Sequence, residues 1–117
     1  MAVSTIKADS VETIELTTNT LSHLASATAT LYRRGNIGII RIYMKNTAND
    51  VAVGNDVSFK VSGLPRPLLC ESKGIGFSGT TAMVCKVNTD NNVFARAIGS
   101  AWVRSYDVVC EVVVLFA

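Results

Sequence analysis

Trp102, Arg104 and Tyr106 stand two residues apart, with Val103 and Ser105 between them. On an extended chain, alternate residues share one face. The spacing therefore predicts a short strand over Ala101–Tyr106 that presents an indole, a guanidinium and a phenol side by side. An aromatic plane stacks on a sugar ring, and a guanidinium adds donors in fixed geometry. Trp102, Arg104 and Tyr106 are accordingly the candidate ligand-binding residues. A packed aromatic stripe covered by an arginine stem has the same pattern, so the spacing alone leaves both meanings open.

Other potentially chemical residues lead to less. Gly74-Ile75-Gly76-Phe77-Ser78-Gly79 matches the dinucleotide fingerprint GxGxxG, but that chemistry needs a helix after the glycines to meet the pyrophosphate. Here a strand-forming run follows, Thr81-Ala82-Met83-Val84-Cys85, so a glycine-rich turn or bulged strand is expected instead. His23 is the only histidine and has no neighbouring residue suited to zinc binding or proton transfer. The nine carboxylates are scattered. Asp50, Asn55 and Asp56 fall in one loop without the spacing of a defined calcium loop. These residues imply no catalytic residue, metal or cofactor, and the expectation is a non-enzymatic protein.

Composition narrows the partners. With 11 basic and 9 acidic residues the net charge is +2, and the longest basic cluster is Arg33-Arg34. Binding through phosphate neutralisation needs a clear basic patch, so no nucleic-acid partner is expected. The 117 residues are 49% hydrophobic and 17% charged, against about 25% charge in an average soluble domain. Either the core is large for its length or another copy covers apolar surface. Cys70, Cys85 and Cys110 have no metal-ligand spacing and are odd in number. They are expected to be free thiols, Cys85 and Cys110 buried as small hydrophobes, in a protein folded in a reducing compartment. Met1 to Glu15 lack a basic region followed by an apolar run, so no signal peptide is expected. The apolar run Val112–Ala117 is too short to insert in a bilayer.

The elements that must position these residues are strands. From Thr28 onward no 3.6-residue period is visible, and short β-branched runs are broken by Gly, Asn, Asp and Pro every eight to twelve residues. A hairpin is expected from Thr28–Arg33 and Ile37–Lys45 about the turn Arg34-Gly35-Asn36. In its second strand Ile40, Ile42 and Met44 share one face, and Arg41, Tyr43 and Lys45 the other. Val57, Phe59 and Val61 alternate with Ser58, Lys60 and Ser62, the pattern of a half-buried strand. Thr80–Val87, Val93–Ile98 and Val108–Phe116 complete the set. The fold class predicted is an all-β antiparallel sandwich, jelly-roll-like, over residues 28–117. Residues 1–27, rich in Ser, Thr and Ala, are expected to form an N-terminal arm or assembly segment.

Four stretches carry a family resemblance: Leu31-Tyr32-Arg33-Arg34-Gly35-Asn36, Val61-Ser62-Gly63-Leu64-Pro65-Arg66-Pro67, the glycine-rich Gly74–Gly79, and Val93-Phe94-Ala95-Arg96-Ala97 leading through Gly99 to Trp102. Their order, followed by a terminal hydrophobic strand, resembles the C-terminal β-sandwich domains of bacteriophage tail-fibre, head-fibre and baseplate proteins from Leu31 to Phe116. The resemblance implies a homotrimer located in the virion, after synthesis in the host cytoplasm. Its implied partners are other virion proteins and host-surface saccharide or protein. Particle decoration or assembly without a small-molecule ligand is the alternative.

Overall fold

The computed structural model describes residues 10–20, 24–46, 49–79, 81–104 and 106–117. Eight strands run through them: β1 (Glu12–Thr20), β2 (Leu24–Arg34), β3 (Ile37–Asn46), β4 (Asp56–Ser62), β5 (Ser72–Ser78), β6 (Thr81–Val87), β7 (Asn92–Ile98) and β8 (Asp107–Leu115). All pairings are antiparallel. The all-β antiparallel expectation holds, but the sandwich does not. The strands close into one barrel in the order β1-β2-β3-β8-β5-β6-β7-β4. Two long-range ladders make the difference. β1 joins β4 through Thr17↔Ser62 to Thr20↔Phe59, and β3 joins β8 along its length from Ile37↔Leu115 to Lys45↔Asp107. The barrel is two successive Greek keys, 4-1-2-3 and 8-5-6-7, in which the fourth strand of each returns beside its first.

The expected domain boundary falls inside β2. Glu12–Thr20 is a barrel stave paired on both sides, and Leu24 and Ala27 are buried in the core. Thus at least 12–20 and 24–27 belong to the barrel and not to an arm. Thr13, Glu15 and Thr17 face outward and Leu16 faces inward, a weak alternation with few large apolar residues that allows a short strand over residues 11–16 but does not show that it is a stave of the barrel.

An eight-stranded barrel is just wide enough for side chains to fill it. Ile40, Ile42, Met44, Val57, Phe59, Val61, Val108, Val112 and Val114 are all buried inside. One end is closed by Leu68 and Phe116, which form an isolated bridge, and the other by Val51 and Trp102, which form a second. The β2–β3 turn has Gly35 at φ 61°, the left-handed conformation that glycine adopts without steric cost.

β5 is the unusual stave. Its inward positions are Gly74, Gly76 and Ser78, while Ile75 and Phe77 point to solvent. With no side chain beneath the two glycines, β6 and β8 approach each other across β5. Cys85 of β6 and Cys110 of β8 form a disulfide there, with Cα atoms 6.7 Å apart. Gly74 is the register partner of Cys85, and Gly76 that of Cys110. This corrects the free-thiol expectation for these two residues, and the inference of a reducing compartment loses that support. Cys70 is free and exposed. The bridge closes a loop with a sequence separation of 25, and loop-closure entropy at that length amounts to about 3–4 kcal/mol. Because Cys85 and Cys110 are buried, the bridge is tested in denaturant: alkylation is expected to label one thiol without reductant and three after reduction. The Cys85→Ala/Cys110→Ala double variant should lose stability of that order in a denaturant titration. Three labelled thiols in denaturant without reductant would refute the bridge.

Candidate functional site

The predicted Trp102–Arg104–Tyr106 platform does not form. Among the described residues of this stretch, 101–104 and 106, none lies in a strand, and the chain turns at Arg104. Trp102 is fully buried, and its Nε1 donates to the Tyr106 carbonyl at 2.7 Å. Its backbone exchanges bonds with Val51, at 2.9 and 3.0 Å. Burial of the indole as a plug for the barrel end removes its face from any ligand. Arg104 and Tyr106 are exposed, and the Arg104 backbone N–H donates to Asp50 Oδ1 at 2.9 Å. Tyr106 lines a surface pocket. That pocket, about 410 Å³, is bounded by Ser78, Gly79, Thr81, Ser100, Ala101, Val103 and Tyr106. Thr81 Oγ1 and Ser100 Oγ are 2.9 Å apart, whereas Ser78 Oγ is buried without a partner among the described residues.

The carboxylates are engaged separately. Asp56 holds Arg96 through Nε to Oδ1 at 2.8 Å and Nη2 to Oδ2 at 3.2 Å, which pushes the guanidinium pKa further up. Asp107 accepts a hydrogen bond from the Tyr43 phenol and so raises the phenol pKa above the ordinary 10.0. Among the described residues, no three His, Cys, Asp or Glu side chains cluster to hold a metal ion. His23 lies outside the described residues.

No protein-family model matches this chain, and no curated protein matches it.

Two outward-facing regions of the barrel differ in character. At one level the register runs Asp56–Arg96–Val84–Ile75–Glu111–Arg41–Thr30–Glu15 across all eight strands. Toward the chain's C-terminal end, on β2, β3 and β8, lie the cross-strand rows Tyr32↔Ile39↔Val113 and Ile37↔Leu115. Val113 is 55% exposed and Ile37 50%, and Leu69, whose N–H donates to the Leu115 carbonyl, is 61% exposed. This is a contiguous apolar surface on a closed barrel, which has no free strand edge to offer.

At the same level on the opposite side lies a groove of about 440 Å³ over β4, β7, β6 and β5, lined by Asp56, Lys73, Val84, Lys86, Phe94, Ala95, Arg96 and Ile98. Its principal row is Lys73↔Lys86↔Phe94. The Lys86 ammonium lies 5.1 Å from the Phe94 ring centroid, a cation–π contact. Sequence reasoning missed this groove. The alternation over Thr81–Val87 and Asn92–Ile98 does put Lys86, Phe94 and Arg96 outward, but their meeting with Lys73 depends on strand register.

Proposed function

We propose that this protein is a non-enzymatic, virion-associated adhesion protein that assembles as a homotrimer and binds host-surface saccharide. The observation that carries this reading is the apolar surface of Tyr32, Ile37, Ile39, Val113 and Leu115. Contiguous apolar patches of this kind mark interaction surfaces. With the lumen filled by side chains and no free edge, binding must use the barrel's exterior. The resemblance over Leu31–Phe116 supports three-fold assembly, which covers such a surface in each copy.

Light scattering on a size-exclusion column tests it, and a mass of three chains is expected. Val113→Lys should shift the mass to one chain, because a charge in an apolar interface costs about 3–5 kcal/mol. That weakens association about a hundredfold or more. The thermal midpoint of the dissociated barrel should change little, since Val113 points outward. A wild-type monomer would overturn the assembly reading.

The burial of Trp102 favours a second reading, particle decoration without a small-molecule ligand, because it withdraws the main aromatic from the expected sugar platform. A saccharide array separates the two: binding supports adhesion, and silence supports decoration.

A further inference from the structure

We propose that the groove over β4, β7, β6 and β5 is a binding site for an acidic saccharide, a sugar unit carrying a carboxylate or a phosphate, gripped between Lys73 and Lys86. The assignment deepens the adhesion reading and rests on it for the source of the ligand. It does not depend on trimer formation.

Lys73 and Lys86 are direct cross-strand partners. Like charges facing each other on one side of a sheet destabilise it, and among the described residues no carboxylate lies within ion-pair distance of either lysine. An anion seated between the two ammonium groups turns this repulsion into two charge-assisted contacts. Lys86 is already positioned, its ammonium over the Phe94 ring. Arg96 is fixed by its two-bond pairing with Asp56, which leaves Nη1 free for a further acceptor. Asp56 cancels the charge of Arg96, so the excess positive charge of the groove is that of the two lysines.

The apolar parts of the lining define the rest of the ligand. Val84 and Phe94 are half-buried, and Ile98 is 50% exposed. Together they offer a small hydrophobic floor of the kind that packs against the C–H face of a sugar ring. A volume of about 440 Å³ suits one or two sugar units. A nucleic-acid strand fits less well, because it needs a basic track several nucleotides long with repeated stacking platforms. This groove has one aromatic ring and ends at the Asp56 carboxylate.

The test uses the full chain and isothermal titration with four probes: sialyllactose for a carboxylate sugar, glucose 1-phosphate for a phosphate sugar, lactose as the neutral counterpart, and a single-stranded DNA oligonucleotide. One or both acidic sugars should bind, and lactose at least about tenfold more weakly, as expected when a charge-assisted contact is lost. Binding should weaken with added salt, because Lys73 is exposed and Lys86 only half-buried. The Lys73→Ala/Lys86→Ala variant should keep its solution mass and melting curve and lose the preference for the acidic sugar. The Lys73→Arg/Lys86→Arg variant should retain it. Equal binding of lactose and the acidic sugars, or acidic binding unaffected by the double alanine change, would overturn this site and leave adhesion standing elsewhere on the barrel. DNA binding that exceeds sugar binding and disappears in the same variant would overturn the saccharide assignment. Absence of binding to both acidic sugars would overturn this site, whereas the adhesion reading falls only if the saccharide array is silent as well.

Discussion

Gly76→Ala is expected to prevent the native barrel from forming, although it adds only one methyl group. A Cβ at this position would meet the Val109 carbonyl oxygen, the Cys110 Sγ and, at 2.9 Å, the Cys110 Cα. Two of these atoms are backbone of the adjacent stave and the third belongs to the disulfide, so none can swing aside. Overpacking a yielding core costs about 1–3 kcal/mol. Where the obstacle is a paired strand, relief requires breaking the β5–β8 ladder, and the cost approaches the whole stability of a small domain, about 5–15 kcal/mol. Gly38→Ala supplies the contrast. There the nearest atom is Leu31 Cδ1 at 2.7 Å, the end of a side chain that can change rotamer. That variant should fold with a loss of about 1–3 kcal/mol. Circular dichroism melts with thiol counting on both variants give the answer. A soluble Gly76→Ala protein with a wild-type midpoint and an intact bridge would show that β5 does not lie against β8 as described.

The same strand explains what the sequence conceals. β3, β4 and β8 were legible because their large apolar residues alternate and the apolar set faces in: Ile40, Ile42 and Met44; Val57, Phe59 and Val61; Val108, Cys110, Val112 and Val114. In β5 the pattern is inverted. The inner face is glycine because neighbouring strands and a disulfide occupy the space, and Ile75 and Phe77 face outward. Gly74–Gly79 therefore looked like a turn or bulge, and the pairing of Cys85 with Cys110 across it could not be read from spacing. Closure into a barrel was equally hidden. A sandwich and a barrel can share strand content and alternation, and only the β1–β4 and β3–β8 registers distinguish them here. The groove lysines depend on register too, since Lys73 and Lys86 are 13 positions apart and meet only because β5 and β6 form a tight hairpin. The apolar excess in the composition was a sound signal, and it reflects both a filled lumen and an uncovered face on β2, β3 and β8.

Trp102→Ala is expected to lower stability by about 3–5 kcal/mol, the usual cost of emptying a large aromatic site in a core. In a domain of this size that corresponds to a fall of roughly 10–20 °C in the thermal midpoint. The residue occupies the barrel end, fully buried, with its indole N–H on the Tyr106 carbonyl and its backbone paired to Val51. Removing it opens a cavity beneath the two loops that close this end. Trp102→Phe should retain most of the packing and lose one hydrogen bond, about 1 kcal/mol. The rule that alternate residues share a face failed over 102–106 because the chain turns at Arg104: Trp102 enters the core while Arg104 and Tyr106 remain outside. The two meanings of the stripe now differ by measurement. A surface platform would give a Trp102→Ala protein that melts like wild type and fails to bind sugar. A barrel plug gives one that melts early, and it requires the indole fluorescence of the wild-type protein, which comes from this single tryptophan, to be blue-shifted and shielded from a soluble quencher such as acrylamide. If the alanine variant kept the wild-type midpoint and lost saccharide binding, Trp102 would return to the surface and the closure of this end would have to be redrawn.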